Sequence, residues 1–126
     1  VMFNKFSLKT NKPLTIDKFK KERPSVVIIE TNREGGLLLN DFKEVFDDIT
    51  FIPVHNSVNK FVRINTLSQY VIEKFVFLHN NEQSNEYKAF FQELTSYMSS
   101  ELNNDTDDAP DSVAGAAKYC KLKLFL

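Results

Sequence analysis

The segment Asp105 to Ser112, read DTDDAPDS, sets Asp105, Asp107, Asp108 and Asp111 within seven residues. Carboxylates crowded in this way repel one another unless a cation neutralises them, and a hard, oxygen-preferring metal suits such donors. The plainer alternative is that one Asp caps the following helix and complements its dipole while the others are solvated. A calcium loop of the EF-hand kind is excluded, because Ala109, Pro110 and Ala116 stand where a ligand, a glycine and a glutamate are required. A second candidate is Glu30, which closes the β-branched run SVVIIE. Open α/β sheets present ligand-binding groups at the carboxyl ends of their strands, although Glu30 taken alone reads first as a turn or cap residue.

Considered together, these acids say more. A strand-end Glu and an adjacent Asp pair opening a later helix are the pieces of a two-metal carboxylate site, with ions about 3.5–4 Å apart. Such ions activate water and stabilise the leaving oxygen of a phosphodiester, so the substrate would be a nucleic-acid backbone. Lys60 and Arg63 share one flank of an amphipathic stretch and are candidates for phosphate contact; a solvated helix flank is the ordinary alternative. His55 and His79 have no Cys or His partner at zinc spacing, and Cys120 falls on an apolar helical side as a packing residue. Neither GxxxxGK[ST] nor GxGxxG occurs, so P-loop hydrolysis and dinucleotide binding lack support.

The elements that must position these residues follow from periodicity. Val1, Phe3, Phe6 and Leu8 have an imperfect period of two and predict a strand, and Pro13 to Glu22 predicts a short helix closing before Pro24. Ser25 to Glu30 predicts a central strand covered on both faces. After a Gly-containing turn at Thr31 to Gly36, the spacing of Leu37, Leu38, Phe42, Val45 and Phe46 is helical, and Thr50 to Val54 predicts a strand kept near an edge by Pro53. Asn59 to Lys74 predicts a helix with Phe61, Ile64, Leu67, Tyr70 and Val71 inward, Phe75 to Leu78 a strand, and Glu86 to Met98 a second aromatic-striped helix. A last helix is expected over about Ala109 to Lys121, with an Asp at its N-cap and Val113, Ala116, Ala117 and Cys120 buried. The alternation predicts an α/β layered sheet flanked by helices, in one domain over 1–126.

Composition bounds the rest. With 126 residues, 42% apolar and 26% charged, the chain is neither disordered nor fibrous. Sixteen basic against 17 acidic residues give a net charge of −1, so nucleic-acid binding would rest on local patches. No apolar run nears the roughly 18 residues of a membrane span, no signal-peptide pattern opens the chain, and one Cys builds no disulfide framework. A soluble protein of a reducing, intracellular compartment is expected.

In their order and spacing, VVIIETNREGG, NKFVRI, FVFL with YKAFFQEL, and DDAPDSVAGA resemble the C-terminal nuclease domain of phage terminase large subunits, over about Val1 to Lys121. The resemblance implies a ribonuclease-H-like mixed sheet flanked by helices, and an endonuclease that cuts double-stranded viral DNA with Mg²⁺ or Mn²⁺ during genome packaging. Matched position by position, Glu30, Asp107 and Asp108 are the implied catalytic metal ligands, Asp111 is the further Asp of the last motif, and Lys60 and Arg63 are implied to face DNA. Implied partners are DNA, the terminase small subunit and the portal, in the cytoplasm of a bacterial host, with no membrane. A homo-oligomer is a further expectation. The family's first catalytic Asp lies on a strand upstream of anything matching Val1, and Asp17, in a predicted helix, is no substitute. The resemblance therefore implies a domain lacking its first strands and the ATPase motor, with weak or no cleavage by itself. Two other classes remain open: a non-catalytic packaging module in which the acids only cap a helix, and another ribonuclease-H-like nuclease such as a junction resolvase, which would prefer branched DNA.

Overall fold

The computed structural model describes residues 1–32, 35–97 and 106–124. They are mixed α/β, mostly helical with one small parallel sheet, and divide into two compact units. The sheet unit is Lys5–Ser57; the helical unit comprises Val1–Asn4 and Val58–Leu126. The expected positions Arg33, Glu34, Met98 and Asp105 lie outside the described residues.

In the sheet unit, helix α1 runs Leu8–Glu22 rather than starting at Pro13, because Ser7 caps it earlier: its Oγ accepts from the Thr10 N–H at 3.4 Å. Pro13 sits inside, withholding an N–H from the ladder, and Asp17 is helical as expected. The helix stops where Arg23 turns left-handed at φ 47° and donates its N–H to the Phe19 carbonyl. Strand β1 (Val26–Glu30) is followed by helix α2 (Gly35–Val45) and strand β2 (Thr50–Val54), which pairs parallel to β1 from Val26↔Thr50 to Glu30↔Val54. A parallel pair needs such a crossover, and helix α2 supplies it. The expectation that β1 is covered on both faces is corrected. Its burial alternates, with Val26 and Ile28 exposed at 39% and 36%. The β-branched run therefore reflects strand preference more than double coverage. Phe42, Ile49 and Phe51 form the buried core, joined by Phe19, Val27, Ile29 and Phe46. Rings meet edge-on between Phe19 and Phe42 at 5.4 Å and stack between Phe42 and Phe51 at 6.2 Å.

In the helical unit, α3 (Lys60–Lys74) carries the expected inward stripe around buried Ile64, α4 (Asn85–Ser96) carries Tyr87, Phe90, Phe91 and Leu94, and α5 (Asp108–Leu124) packs on both. The buried side of α5 is Ala109, Val113, Ala114 and Ala117; Ala116, expected inward, is exposed. Steps of four, one and three residues form one helical stripe, and its small side chains permit close approach of the helices.

Two expected strands are absent among the described residues. Residues 1–7 have no regular structure; instead the Phe3 ring packs edge-on against Phe90 at 6.0 Å and the Phe3 N–H donates to the Glu86 carboxylate at 3.3 Å. Over 75–78 the period of two survives without a ladder. Phe77 packs on Phe91 at 5.4 Å, Val76 is 96% exposed, and the Leu78 N–H donates to the Tyr87 hydroxyl at 3.1 Å. Alternation thus reports an extended chain with one inward face, whether or not a partner strand exists.

Candidate functional site

Helix α5 begins where the sequence places it. The Asp107 carbonyl accepts from the Asp111 N–H at 3.0 Å, which makes Asp107 the N-cap residue and puts Pro110 in the first turn, where a missing N–H costs nothing. Asp108 and Asp111 occupy that turn, where the helix dipole favours negative charge. An unexpected residue completes the helix start. Glu93 on α4 accepts the Ala109 N–H through Oε2 at 2.7 Å, so a neighbouring helix supplies the carboxylate that caps an otherwise free donor. Glu93 lies in an ordinary helical context, and its only signal in sequence is a polar position beside the aromatic stripe.

The first turn of α3 faces this acidic turn. Asn59 caps α3 through its Oδ1, which accepts from the Val62 N–H at 3.4 Å. Lys60 and Arg63 then stand at a helix N-terminus, where cations oppose the dipole. The acids of α5 offset that conflict. Lys60 Nζ lies 3.0 Å from Asp107 Oδ1, 3.5 Å from Asp108 Oδ1 and 3.7 Å from Asp111 Oδ2. Arg63 donates through one guanidinium nitrogen to Asp111 Oδ1 at 2.8 Å and through the other to the Val58 carbonyl, and both charged side chains of this pair are only 14% exposed. Three carboxylates therefore share two cations. Partial burial alone would lower the Lys60 pKa; the hydrogen bond that Lys60 donates to Asp107 and the charges of Asp107, Asp111 and Asp108 outweigh it and raise the value above 10.5.

The sequence considered Lys60 and Arg63 as phosphate contacts or as a solvated flank, and here they serve as counter-ions of the acidic turn. The repulsion expected within DTDDAPDS is relieved from inside the protein. Among the described residues no group of three or more His, Cys, Asp or Glu side chains is arranged to hold a metal ion. Oxygens spread 3.0–3.7 Å about an ammonium are wider than the about 2.0–2.1 Å that Mg²⁺ needs. Carboxylate oxygen is the donor type that a hard cation takes, and here that role is filled by the Lys60 ammonium and the Arg63 guanidinium.

Glu30 belongs to the sheet unit, exposed at the carboxyl end of β1. Its surroundings are tightly built. Beyond it the Thr31 N–H donates to the Val54 carbonyl at 2.9 Å, and the Asn32 amide both donates to the Asn56 carbonyl and accepts from the Asn56 N–H, each at 2.9 Å. Asn32 thereby imitates a strand backbone and extends the pairing past both strand ends. Gly35 is required at the start of α2, because a Cβ there would collide with the Glu30 carbonyl. Among the described residues no helix is long and apolar enough to cross a membrane. No known protein family, no curated protein and no solved structure matches the chain.

Proposed function

We propose that the chain is a ribonuclease-H-like nuclease domain of the phage terminase kind, acting on double-stranded DNA with Mg²⁺ or Mn²⁺. The observation that carries this reading is the acidic turn. Asp107, Asp108 and Asp111 gather at one helix N-terminus, each with a carboxylate oxygen within 3.7 Å of Lys60 Nζ, and carboxylate oxygen is the donor type that a hard metal takes. Glu30, at the carboxyl end of a parallel strand and braced by Asn32 and Gly35, supplies the strand-end carboxylate that the motif order leads one to seek.

Under this reading Asp107 and Asp108 are the metal ligands of the helical unit, and a bound metal would supply the activated water and the charge that stabilises the leaving phosphodiester oxygen. Asp111, closed by Arg63, orients the turn more than it ligates. The non-catalytic alternative has an observation in its favour: Lys60, Arg63 and Glu93 satisfy the acidic turn and its helix start without any metal.

Calorimetric titration of Mn²⁺ separates the two readings. The titration uses the chain, its Asp108→Ala variant, and a form lengthened by an upstream strand bearing the further Asp. The nuclease reading expects the lengthened form to bind Mn²⁺, to lose it on substitution of Asp108, and to nick linear double-stranded DNA. If neither the chain nor the lengthened form takes up Mn²⁺, the acidic turn is a helix start and the packaging-module reading stands. Preference for branched over linear DNA would reassign the domain to a junction resolvase.

A further inference from the structure

Residues 5–23 hold Lys5, Lys9, Lys12, Lys18, Lys20, Lys21 and Arg23 against only Asp17 and Glu22. Seven cations against two anions give this segment +5, and nine against 15 elsewhere give −6, so the net −1 of the chain hides a strong asymmetry. Lys12 is paired with Asp41 and Lys18 with Glu22. Lys5, Lys9, Lys20, Lys21 and Arg23 are exposed and have no ion-pair partner among the described residues. The helix dipole accounts for Lys20 and Lys21 in the last turn of α1. It opposes Lys9 in the first turn, and Arg23 takes a left-handed φ of 47°, a conformation that suits Gly. Such breaks of local preference mark places where another demand prevails. We propose that the exposed side of α1 is a contact surface for the phosphate backbone of double-stranded DNA. This rests on the DNA-directed reading above and supplies the phosphate contacts that Lys60 and Arg63, engaged by the acidic turn, do not.

The shape of the charge identifies the partner. Ile16 and Phe19 pack against the buried core of the sheet unit, so α1 is fixed on that side while Lys9 and Lys20 remain outside. Those two lysines are eleven residues apart, close to three full turns, and so share one line along the helix at a separation of roughly 16 Å. No small anion spans that distance. An extended polyanion does, and duplex DNA carries a charge about every 1.7 Å along its axis. Lys21 and Arg23 add to one end of the line. An anionic membrane is a poorer fit, because a helix that lies in a bilayer surface needs a free apolar face and that of α1 is already used by the core. The apolar side chains left outside, Leu8 and Leu14, are six residues apart and therefore on different sides of the helix. Lysines on flexible stems position a phosphate backbone without reading bases, so the surface is indifferent to sequence.

The test uses the full chain and a fluorescent linear duplex of about 20 base pairs, with binding followed by anisotropy in the presence of a chelator over about 50–200 mM salt. The wild type is compared with Lys9→Gln/Lys20→Gln/Lys21→Gln and with Lys118→Gln/Lys121→Gln/Lys123→Gln on α5, which loses the same charge. Gln keeps the helix propensity of these exposed positions. The α1 variant is expected to bind at least about tenfold more weakly near 50 mM salt and to lose about three from the slope of log K against log salt, while the α5 variant keeps the wild-type slope. Equal losses in the two variants, or none in the α1 variant, overturn the proposal and leave the nuclease reading in place. A wild type that binds no duplex also overturns it, and binding to phosphatidylserine vesicles instead would make α1 a membrane contact; Mn²⁺ uptake by the lengthened form decides the nuclease reading separately. Should the α1 variant fold poorly, amine acylation of the wild type decides. Duplex that shields Lys9, Lys20 and Lys21 but not Lys118 and Lys121 supports the proposal, and equal shielding or none overturns it.

Discussion

The sheet unit and the helical unit are stabilised by different physics. In the sheet unit Phe19, Phe42, Phe46 and Phe51 join Ile49 in one aromatic cluster, and its ion pair Lys12–Asp41 at 2.6 Å is well exposed at 39% and 43%. Area removed from water does the stabilising there, and charge decorates the rim. The helical unit buries Ile64 and a stripe of small residues on α5, which remove less area per residue. Its half-buried charges instead join two helix starts that would otherwise conflict with their own dipoles or be left uncapped. The contrast teaches that chemistry-bearing residues here are also stabilising ones, and only in the helical unit does changing them test both roles at once.

The sharpest way to break the comparison is Phe42→Ala, which empties the centre of the aromatic cluster at a residue 3% exposed. A loss of about 3–5 kcal/mol is expected in urea unfolding of the chain. A loss below about 1 kcal/mol would mean that the cluster is not what holds the sheet unit. Next comes Arg63→Ala, which leaves Asp111 half-buried without its partner and frees the Val58 carbonyl. The expected cost is about 2–3 kcal/mol, with Arg63→Lys recovering only part because a point charge cannot replace the fork. Adding Asp111→Asn to Arg63→Ala completes a double-mutant cycle. A coupling energy near zero would show that the pair is no more than a surface contact.

This same division governs what could be read from sequence. Helical stripes built on large apolar residues came through: Ile64 and Phe42 are buried where the spacing puts them, and β2 runs over Thr50–Val54 as expected. Period-two runs were less informative, because Phe3 and Phe77 face inward on extended chain whose backbone groups find Glu86 and Tyr87 instead of a second strand. Within the candidate site, the acidic turn at the start of α5 was legible from the Asp and Pro pattern. Its neutralisation was not. Which cation meets which carboxylate depends on the packing of α3 on α5, a long-range fact with no local signal, and Glu93 is identified only by the N–H it receives.

Glu93 offers a smaller and cleaner test of the helical unit. Glu93→Ala should cost about 1 kcal/mol by uncapping Ala109, while Glu93→Gln, which keeps an acceptor and loses the charge, should cost roughly half of that. Equal losses for the two variants would assign the effect to charge near the helix dipole and not to the hydrogen bond. Helicity of the chain followed by circular dichroism during unfolding reports both values.

The smallest effect expected is the pH dependence carried by Lys60, whose folded pKa is raised above 10.5 because the three carboxylates prevail over its partial burial. A cation favoured in the folded state stabilises fully below the unfolded value, and that stabilisation is lost as pH rises through the higher folded one. With 38% of the side chain exposed, water screens the interaction, so the change is modest. The unfolding midpoints of the wild type and Lys60→Met, measured with a chelator present, should differ by a constant amount from about pH 8 to 10 and converge above 10.5. A gap that stays open at high pH would place the contribution of Lys60 in the packing of its stem rather than in its charge. The ammonium would then be a weak occupant of the acidic turn, and only the Arg63–Asp111 pair would distinguish the electrostatics of the helical unit from those of the sheet unit.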